Sequence, residues 1–384
     1  MDADVLMPVD YSINWHYALG GPLGRCLFKS CHEDFVVDER LPFEPDGEGE
    51  HLFLLMEKKG ENTDWVAGLL ARYAGVRRQA VSYAGRKDRH GITRQWFCVS
   101  LPGMADPDWS GLESDSMRII RQSRHRKKLK TGTLKANDFC ITLRNIDVAP
   151  VVVNTRLEQI SREGVPNYFG EQRFGRHGQN IEKAVDMLGG QLRVRRNKRS
   201  VYLSAARSWL FNRVLSEKVS EAVWNQYLSG DVLGFQDSNS LIFETPDDAM
   251  MARLDGGELS PTSPLWGGGL SKVADQVLAF ESSITARYPQ LSDGLERTGM
   301  LQERRVNRVI PQQMTWVWES SSEGDSLVLR FRLPKGCFAT SVLRELFDYK
   351  GIYCRENNHV NHEYQHLEKT WNNSGLMDYD HIAV

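Results

Sequence analysis

Short segments of β-branched and apolar residues recur at strand length along the first 145 residues, and turn-forming residues separate them. These predicted strands lie at residues 33–39, 51–56, 80–84, 95–100 and 139–143. The stretch 44–49 between the first two is acidic and contains a proline and glycines, so we predict that those two strands form a hairpin. Residues 85–94 are rich in charge and are predicted to form the loop that joins the third and fourth strands, a place that functional side chains favour.

Other segments carry apolar residues at helical spacing. These predicted helices lie at residues 63–75, 152–163, 203–219 and 339–347. Asn62 and Thr63 are good N-cap residues for the first helix, and Gly164 with Pro166 ends the second. The third is the clearest, and its apolar stripe is predicted to lie in the core. A strand at 327–333 and a tight turn precede the last helix.

The order of these elements indicates the fold class and the division into domains. Strands occur in pairs, and helices do not strictly alternate with them, which predicts an α+β fold with a mainly antiparallel sheet and flanking helices. A chain of 384 residues favours two domains, since domains usually have about 100–200 residues. Residues 163–312 are more helical and richer in loops, so we predict that they form a second domain, inserted between 1–162 and 313–384 of the first.

Residues 350–377 are unusually polar and rich in asparagine, and they are predicted to form a further insertion, an inserted loop. Within it, His359, His362 and His366 have the spacing i, i+3 and i+7, and Cys354 lies nearby. On a helix these imidazoles would share one face, which could suit a metal ion. Because no closed set of four ligands with supporting groups is evident, we predict no metal site.

Composition restricts the class of protein. The chain is 41% hydrophobic and 26% charged, with a mean hydropathy of -0.45, which is typical of folded proteins. It contains no apolar run of the length that a membrane span requires, and residues 1–10 carry three acids instead of a basic start. The six cysteines form no C-x-x-C pair and are predicted to be free thiols. We therefore predict a cytoplasmic protein without a membrane partner.

Charge is distributed in clusters, although the net charge is only -2. No acid lies between Met117 and Asp138, where the chain has Arg118, Arg121, Arg124, Arg126, Lys127, Lys128, Lys130 and Lys135. A second run, residues 193–199, holds five cations in seven positions. Clusters of this kind attract ligands that carry phosphate. Charge alone does not distinguish such a surface from two solvated loops.

The sequence contains no phosphate-binding Walker loop, no dinucleotide-binding glycine motif and no nucleophilic serine elbow. What remains is Asp88, which lies in sequence among Arg86, Lys87, Arg89 and Arg94. Neighbouring cations favour the ionised form of an acid, so Asp88 is a candidate nucleophile or general base. The alternative is a surface loop in which Asp88 only neutralises its neighbours.

The loop and its surroundings resemble a known family. Residues 85–90, with Thr93 and Gln95-Trp96, are similar to the catalytic motif of TruD-type tRNA pseudouridine synthases. Further blocks similar to that family follow the same order, namely residues 33–37, 43–51, 165–175, 197–200 with 203–208, and 338–345. Residues 378–383 resemble the terminus of the family. These blocks cover most of residues 25–348.

The resemblance implies a pseudouridine-synthase core interrupted by a TRUD-type second domain, with RNA in the cleft between them. The substrate would be uridine 13 in the D-arm of tRNA, with Asp88 as the nucleophile and Phe35, Asn137 and Phe338 in contact with the target nucleotide. An extruded base needs an aromatic face, which either ring could offer, and Asn137 has both a donor and an acceptor. The predicted RNA contacts are Lys87, Arg89, Arg126, Lys127, Lys128, Lys130, Arg195 and Arg196.

The implied reaction detaches uracil from C1′ and rejoins it through C5, without a cofactor and without an obligatory protein partner. The sequence leaves open whether Asp88 attacks C1′ or the uracil ring. Two other functions are compatible with the same residues: an inactive protein that binds or folds tRNA, and an N-glycosidase that releases uracil. A carboxylate among phosphate contacts favours the enzyme over the binding protein, since a binding surface has no use for it.

Overall fold

The computed structural model of the chain describes residues 10–321 and 324–351. Its strands are β1 (Gly24–Phe28), β2 (Phe35–Arg40), β3 (His51–Lys59), β4 (Val81–Tyr83), β5 (Ile92–Ser100), β6 (Met117–His125), β7 (Ala136–Arg144), β8 (Val165–Pro166), β9 (Leu233–Phe235), β10 (Leu241–Ile242), β11 (Leu259–Leu265), β12 (Glu303–Val306), β13 (Arg308–Val309), β14 (Gln312–Ser321), β15 (Gly324–Pro334) and β16 (Phe347–Gly351). Its helices are α1 (Thr63–Tyr73), α2 (Pro150–Glu163), α3 (Gln179–Leu188), α4 (Arg196–Ser220), α5 (Asp248–Asp255), α6 (Asp275–Thr285), α7 (Pro289–Arg297) and α8 (Ala339–Leu343). Residues 352–384, which include most of the predicted insertion, its cysteine and histidines, and the terminal block, lie outside this description.

A ten-stranded sheet forms the larger layer. Its order is β14-β15-β7-β2-β5-β3-β6, with β1 beside β7, β16 beside β1, and β4 beside β5. Neighbouring strands are antiparallel except for the pairs β2 with β5 and β1 with β16. This arrangement confirms the predicted α+β class with a mainly antiparallel sheet.

The segment between β8 and β13 builds a second layer. The antiparallel sheet β10-β9-β11-β12 packs beside α4, whose apolar stripe is buried together with α3 and α7. Trp15, from the start of the described chain, also packs in this core, with its ring 6.2 Å from that of Tyr168 and 5.9 Å from that of Trp209. The division at 162/163 and 312/313 remains a proposal about the domain boundaries.

The predicted hairpin between the first two strands is wrong. In the structure β5 lies between β2 and β3, pairing in parallel with the first and antiparallel with the second. Residues 95–99 of β5 are buried. A strand with such a continuous buried run is stabilised most in the middle of a sheet, where it pairs with a neighbour on each side. The chain after β2 therefore crosses over before β3 begins.

The predicted helices are present, with changes at their ends. Asn62 caps α1 by accepting the backbone N–H groups of Asp64 and Trp65, and α2 ends at Gly164, which has a φ of 76°. Helix α4 begins at Arg196, earlier than predicted, so it includes part of the second basic run. Helix α8 ends early because residues from Phe347 onward pair with β1 as β16. Within the described ranges, every helix is too short or too polar to cross a bilayer.

A buried ionic network joins α4, α6, β11 and β12. Glu281 accepts hydrogen bonds from Nη1 and Nη2 of Arg304 at 2.7 and 2.8 Å, and its Oε1 lies 3.5 Å from Nζ of Lys218. Lys218 also donates to the carbonyl oxygen of Thr262 at 2.9 Å. The three charged side chains are almost completely buried. Each charge therefore depends on the others for compensation.

We expect Glu281→Gln to lower the free energy of unfolding by roughly 3–5 kcal/mol, because it removes the anion that accepts hydrogen bonds from the buried Arg304 and lies beside the buried Lys218. Urea denaturation followed by fluorescence measures this change. The matched control is Glu258→Gln, which removes an exposed partner of Arg253 and should change stability little. Equal effects of the two substitutions would contradict the prediction.

Candidate active site

Buried polar side chains anchor the loop between β4 and β5. The hydroxyl of Thr63 donates to Oε1 of Gln95 at 3.0 Å and accepts the backbone N–H of Lys87 at 3.1 Å. Nε2 of Gln95 donates to the carbonyl oxygen of Gly85 at 3.0 Å. Because Thr63 and Gln95 are buried, these bonds are shielded from water and hold the loop to α1 and β5.

Gly91 lets the end of this loop lie directly on β2. A Cβ atom at this position would be 2.4 Å from the carbonyl oxygen of Phe35 and 2.9 Å from its Cδ1 atom. Any other residue would push the loop away. The loop that carries Asp88 is therefore packed against Phe35, one of the predicted substrate contacts.

The carboxylate of Asp88 accepts hydrogen bonds from separate parts of the chain. Its Oδ2 accepts from Nζ of Lys29 at 2.5 Å and from Nε2 of Gln172 at 2.8 Å, and its Oδ1 accepts the backbone N–H of His90 at 2.9 Å. The side chain is 13% exposed. Burial opposes its ionisation, but the charge and hydrogen bond of Lys29, with the other donors, outweigh burial and lower the pKa of Asp88 to about 2. Asp88 is an anion at neutral pH.

Lys29 is the cation that holds Asp88 ionised, and the sequence analysis missed it. It follows β1 with a φ of 61°, and its side chain is buried. Its Nζ atom lies 4.0 Å from the centroid of Phe35 and 5.0 Å from that of Phe28, so it is held by two aromatic rings as well as by the carboxylate. No local motif marks a lysine that lies 59 positions away from its partner.

The cations beside Asp88 in sequence have other partners, which corrects the prediction that they keep it ionised. Nε of Arg86 donates to Asp64 at 2.9 Å. The guanidinium of Arg94 pairs with Asp38 and Glu57. These carboxylates belong to α1, β2 and β3, so the ion pairs tie the loop and β5 to the surrounding sheet.

Lys87 and Arg89 differ in what they can bind. Lys87 forms a 2.5 Å ion pair with Glu39, and both side chains are buried, so its ammonium group is not open to a phosphate, contrary to the prediction. Arg89 is exposed, and its Nε lies 3.1 Å from Nε2 of His90. Only Arg89 of this pair remains a predicted RNA contact.

Phe35 and Phe338 lie on different elements, and each is linked to Asp88 through another residue. Phe35 is 7% exposed and packs against Phe28 and Phe139, with the Lys29 ammonium group against its ring. Phe338 caps α8 and is half-buried, with its centroid 5.9 Å from that of Phe169. Since Phe169 is followed closely by Gln172, the same segment touches both Phe338 and the Asp88 carboxylate.

Asn137 lies on β7, opposite Glu39 of β2. The alternation of side chains places it on the sheet face that also carries Phe35 and Phe139. Its Oδ1 atom is buried and accepts no hydrogen bond from the described residues. A buried acceptor of this kind is costly unless a ligand or water bonds to it. The structure does not join Asn137 to Asp88 by a hydrogen bond within residues 10–321 and 324–351.

The first basic cluster is largely neutralised by acids from elsewhere in the chain. Four arginines of the cluster form ion pairs, Arg118 with Glu57, Arg121 with Glu44, Arg124 with Asp106 and Arg126 with Glu48. Lys127, Lys128 and Lys130 are exposed, and Lys128 donates to the carbonyl oxygen of Gln79 at 3.0 Å. The lysines are therefore the more open part of this cluster.

The second basic cluster is open throughout. Arg193, Arg195, Arg196, Lys198 and Arg199 are all exposed, and none forms an ion pair with another residue of the described chain. The last three lie in the first turn of α4, which contains no acid. Cations are unfavourable at the positive end of a helix, so this surface gains from a bound anion.

The fold and the site together define an α+β enzyme with an ionised carboxylate at its centre. In the part of the chain that the structure describes, no group of three or more His, Cys, Asp or Glu is arranged to hold a metal ion.

Comparisons with known proteins identify the family to which the chain belongs. The family model for tRNA pseudouridine synthase D (TruD) matches residues 15–185 and 177–346. A tRNA pseudouridine synthase D from Aeromonas hydrophila is 48% identical over 333 residues, covering 86% of this chain and 93% of that protein. One from Hydrogenovibrio crunogenus is 40% identical over 346 residues, covering 90% and 99%. The chain belongs to the TruD family of tRNA pseudouridine synthases.

A solved structure shares the fold. The crystal structure of a TruD protein from Methanosarcina mazei superposes with a TM-score of 0.65 at 22% identity, and covers 89% of this chain and 98% of that one. At this identity the likeness concerns the fold alone.

Proposed function

We propose that this protein isomerises uridine to pseudouridine in tRNA, at position 13 of the D-arm, with Asp88 as the nucleophile. The observation that carries the proposal is the largely buried, ionised carboxylate of Asp88, which shares Lys29 with the ring of Phe35 and accepts a hydrogen bond from Gln172 in the segment that packs against Phe338. The names of the relatives support tRNA as the substrate and formation of pseudouridine as the reaction. A cytoplasmic location agrees with tRNA as the substrate.

The donors around Asp88 favour one of its oxygens for attack. Each carboxylate oxygen has about two positions that can accept a hydrogen bond. On Oδ2 both are used, by Lys29 and Gln172, whereas among the described residues Oδ1 accepts a hydrogen bond from the backbone of His90 alone. We infer that Oδ1 carries the free electron pair, and that Lys29 and Gln172 act as positioning residues that fix the orientation of the carboxylate.

The two rings would have different roles. The Phe35 ring is buried, and the Lys29 ammonium group lies against it, so the ring would hold Lys29 in place beside Asp88. Phe338 is more exposed and offers the better surface for stacking an extruded uracil. Asn137 Oδ1, which accepts no hydrogen bond from the residues that the structure describes, would accept the N3–H group of the base.

In the proposed reaction the uridine leaves the RNA stack and its N1–C1′ bond breaks. Uracil departs with the electron pair of that bond, turns, and forms a C5–C1′ bond. The proton on C5 is lost and N1 gains one, so the product is an isomer and no other reactant is consumed. Asp88 would attack either C1′ or the ring to assist cleavage, and the bond that it forms would break again once C5 has bonded to C1′, which regenerates the carboxylate. Burial of the site would keep water from reacting at C1′ in the meantime.

The test is incubation with unmodified tRNA followed by mapping of pseudouridine at single-nucleotide resolution. We expect one new pseudouridine, at position 13. Release of free uracil would instead identify an N-glycosidase. Binding without either product would identify an RNA-binding protein.

The exposure of the second basic cluster leads to a prediction on salt dependence. Arg195→Ala should reduce the slope of log affinity for tRNA against log salt by about 1, because one open cation no longer displaces a counterion. Arg126→Ala should change the slope less, since Glu48 already neutralises that guanidinium. Fluorescence anisotropy between about 50 and 200 mM salt measures both slopes. A larger effect at Arg126 would contradict the assignment of the open cluster to RNA.

A further inference from the structure

A cleft with a volume of about 470 Å³ opens beside the first three turns of α4, and Asp88 is not among its lining residues. Its apolar walls include Phe169, Leu203 and Met300. Its polar lining includes Ser200 and Ser204 from the helix. No part of the proposed reaction at Asp88 uses this cleft.

Arginines supply the charge of this cleft. Arg196 and Arg199 are exposed at its edge and have no acidic partner among the described residues. Arg207 lies deeper, where Nη2 donates to the carbonyl oxygens of Leu265 and Leu301 at 3.0 and 2.5 Å. The Nε of Arg207 is buried and has no acceptor in the described chain. The cleft thus combines open cations at its mouth with an unused donor inside.

This combination fits one class of ligand. Apolar walls bury a flat ring, hydroxyl and guanidinium donors bond its polar edge, and open arginines bind phosphate. A nucleotide has all three features. An acidic peptide would use the cations but would not need the apolar walls.

The position of the cleft connects it to the target site. Phe169 lines the cleft, and its ring also lies 5.9 Å from that of Phe338. The guanidinium of Arg305 lies 4.2 Å from the Phe169 centroid, and the backbone of Phe169 is bonded on both sides to Asn212, so the ring is held firmly. A single fixed aromatic residue therefore separates the two sites.

We propose that the cleft on α4 is a second nucleotide-binding pocket for the RNA substrate. It takes the base of a nucleotide that lies close to the target uridine, while Arg196 and Arg199 bind the adjoining phosphates. This inference rests on the proposed function, because it assigns the second nucleotide to the same RNA. The pocket adds recognition of a specific flanking nucleotide to the general attraction of the basic cluster.

The experiment compares unmodified tRNA with versions in which single nucleotides flanking the target are abasic. For the wild-type protein, we expect loss of one particular base to weaken binding about tenfold or more, the size expected for a stacked base. Ser200→Trp, at an exposed position in the wall, should fill the cleft and weaken binding of intact tRNA by a similar factor. It should then bind the intact and the abasic tRNA equally.

Two further variants separate the cleft from the surrounding charge. Arg199→Ala should also weaken binding and reduce the discrimination, and it is an exposed change that does not depend on accommodating a large ring. Lys198→Ala removes a charge from the same turn of α4 outside the cleft, and it should keep the full discrimination.

Other results would overturn the inference. Equal binding of all abasic tRNAs by the wild-type protein would do so, as would full discrimination by Ser200→Trp and Arg199→Ala. Competition by free nucleoside monophosphates, without any effect of abasic sites, would make the cleft a site for a free nucleotide. Failure of the proposed function is a separate result, because the wild-type protein would then form no pseudouridine in intact tRNA.

Discussion

The Asp88→Asn protein is expected to bind unmodified tRNA with nearly wild-type affinity and to form pseudouridine about 10⁴-fold more slowly or not at all. The amide has the shape of the carboxylate but lacks the anionic oxygen that would attack. Its NH₂ group would also face donors, since Lys29, Gln172 and the His90 backbone all donate to this position. Binding should persist because the substitution leaves Arg89 in place and the other open predicted phosphate contacts lie on other elements.

Single-turnover formation of pseudouridine and equilibrium binding of the same tRNA measure the two effects separately. Asp115→Asn is the matched control, because Asp115 is an exposed acid outside the site and the change in charge is the same. Activity of Asp88→Asn within tenfold of the wild type would exclude Asp88 as the nucleophile. A parallel loss of tRNA binding would point to a role in binding instead.

Replacement of Lys29 should have the second largest effect. In Lys29→Met the carboxylate of Asp88 stays buried but loses its cation, so its pKa should rise from about 2. Attack requires the anion, and the acid limb of the rate profile should therefore move to higher pH. We expect kcat to fall about 100-fold near neutral pH, as for the loss of one electrostatic contact in other enzymes, with little change in tRNA affinity.

Of the two controls for Lys29→Met, one keeps a cation at position 29 and the other removes a lysine elsewhere. Lys29→Arg should restore part of the activity, because it supplies a cation at the same place. Lys59→Met removes a more exposed lysine that pairs with Glu33 and should leave the profile unchanged. If the acid limb of the pH–rate profile lay at the same pH in Lys29→Met and in the wild type, the proposed role of Lys29 at Asp88 would be contradicted.

The low pKa of Asp88 also affects stability. A carboxyl group whose pKa is lower in the folded than in the unfolded state stabilises the fold above its ordinary pKa, which is 3.8 for Asp88. This contribution, roughly 2 kcal/mol for a shift of this size, should be lost as the pH falls from about 4 towards 2. In Lys29→Met most of it should be absent at every pH.

Local sequence patterns were sufficient to predict several helices and strands and to select Asp88 as a candidate site residue. The N-cap at Asn62 and the glycine at 164 bound the helices α1 and α2 through contacts with their immediate neighbours in sequence. The loop 85–91 is likewise set between two strands that pair antiparallel. Asp88 could be selected because a lone acid in such a loop is a local feature. Its role, and those of Phe35, Asn137 and Phe338, stay predictions.

The sequence by itself determined the periodicity of the main strands and helices, the α+β class and the segment that carries Asp88, because these depend on residues a few positions apart. Only the tertiary structure decided which strand lies between β2 and β3, and which cation pairs with which acid. Lys29 pairs with Asp88, and Lys87 pairs with Glu39, each at 2.5 Å, because the fold brings these side chains together. Electrostatic energy depends on separation in space, and separation along the chain does not report it.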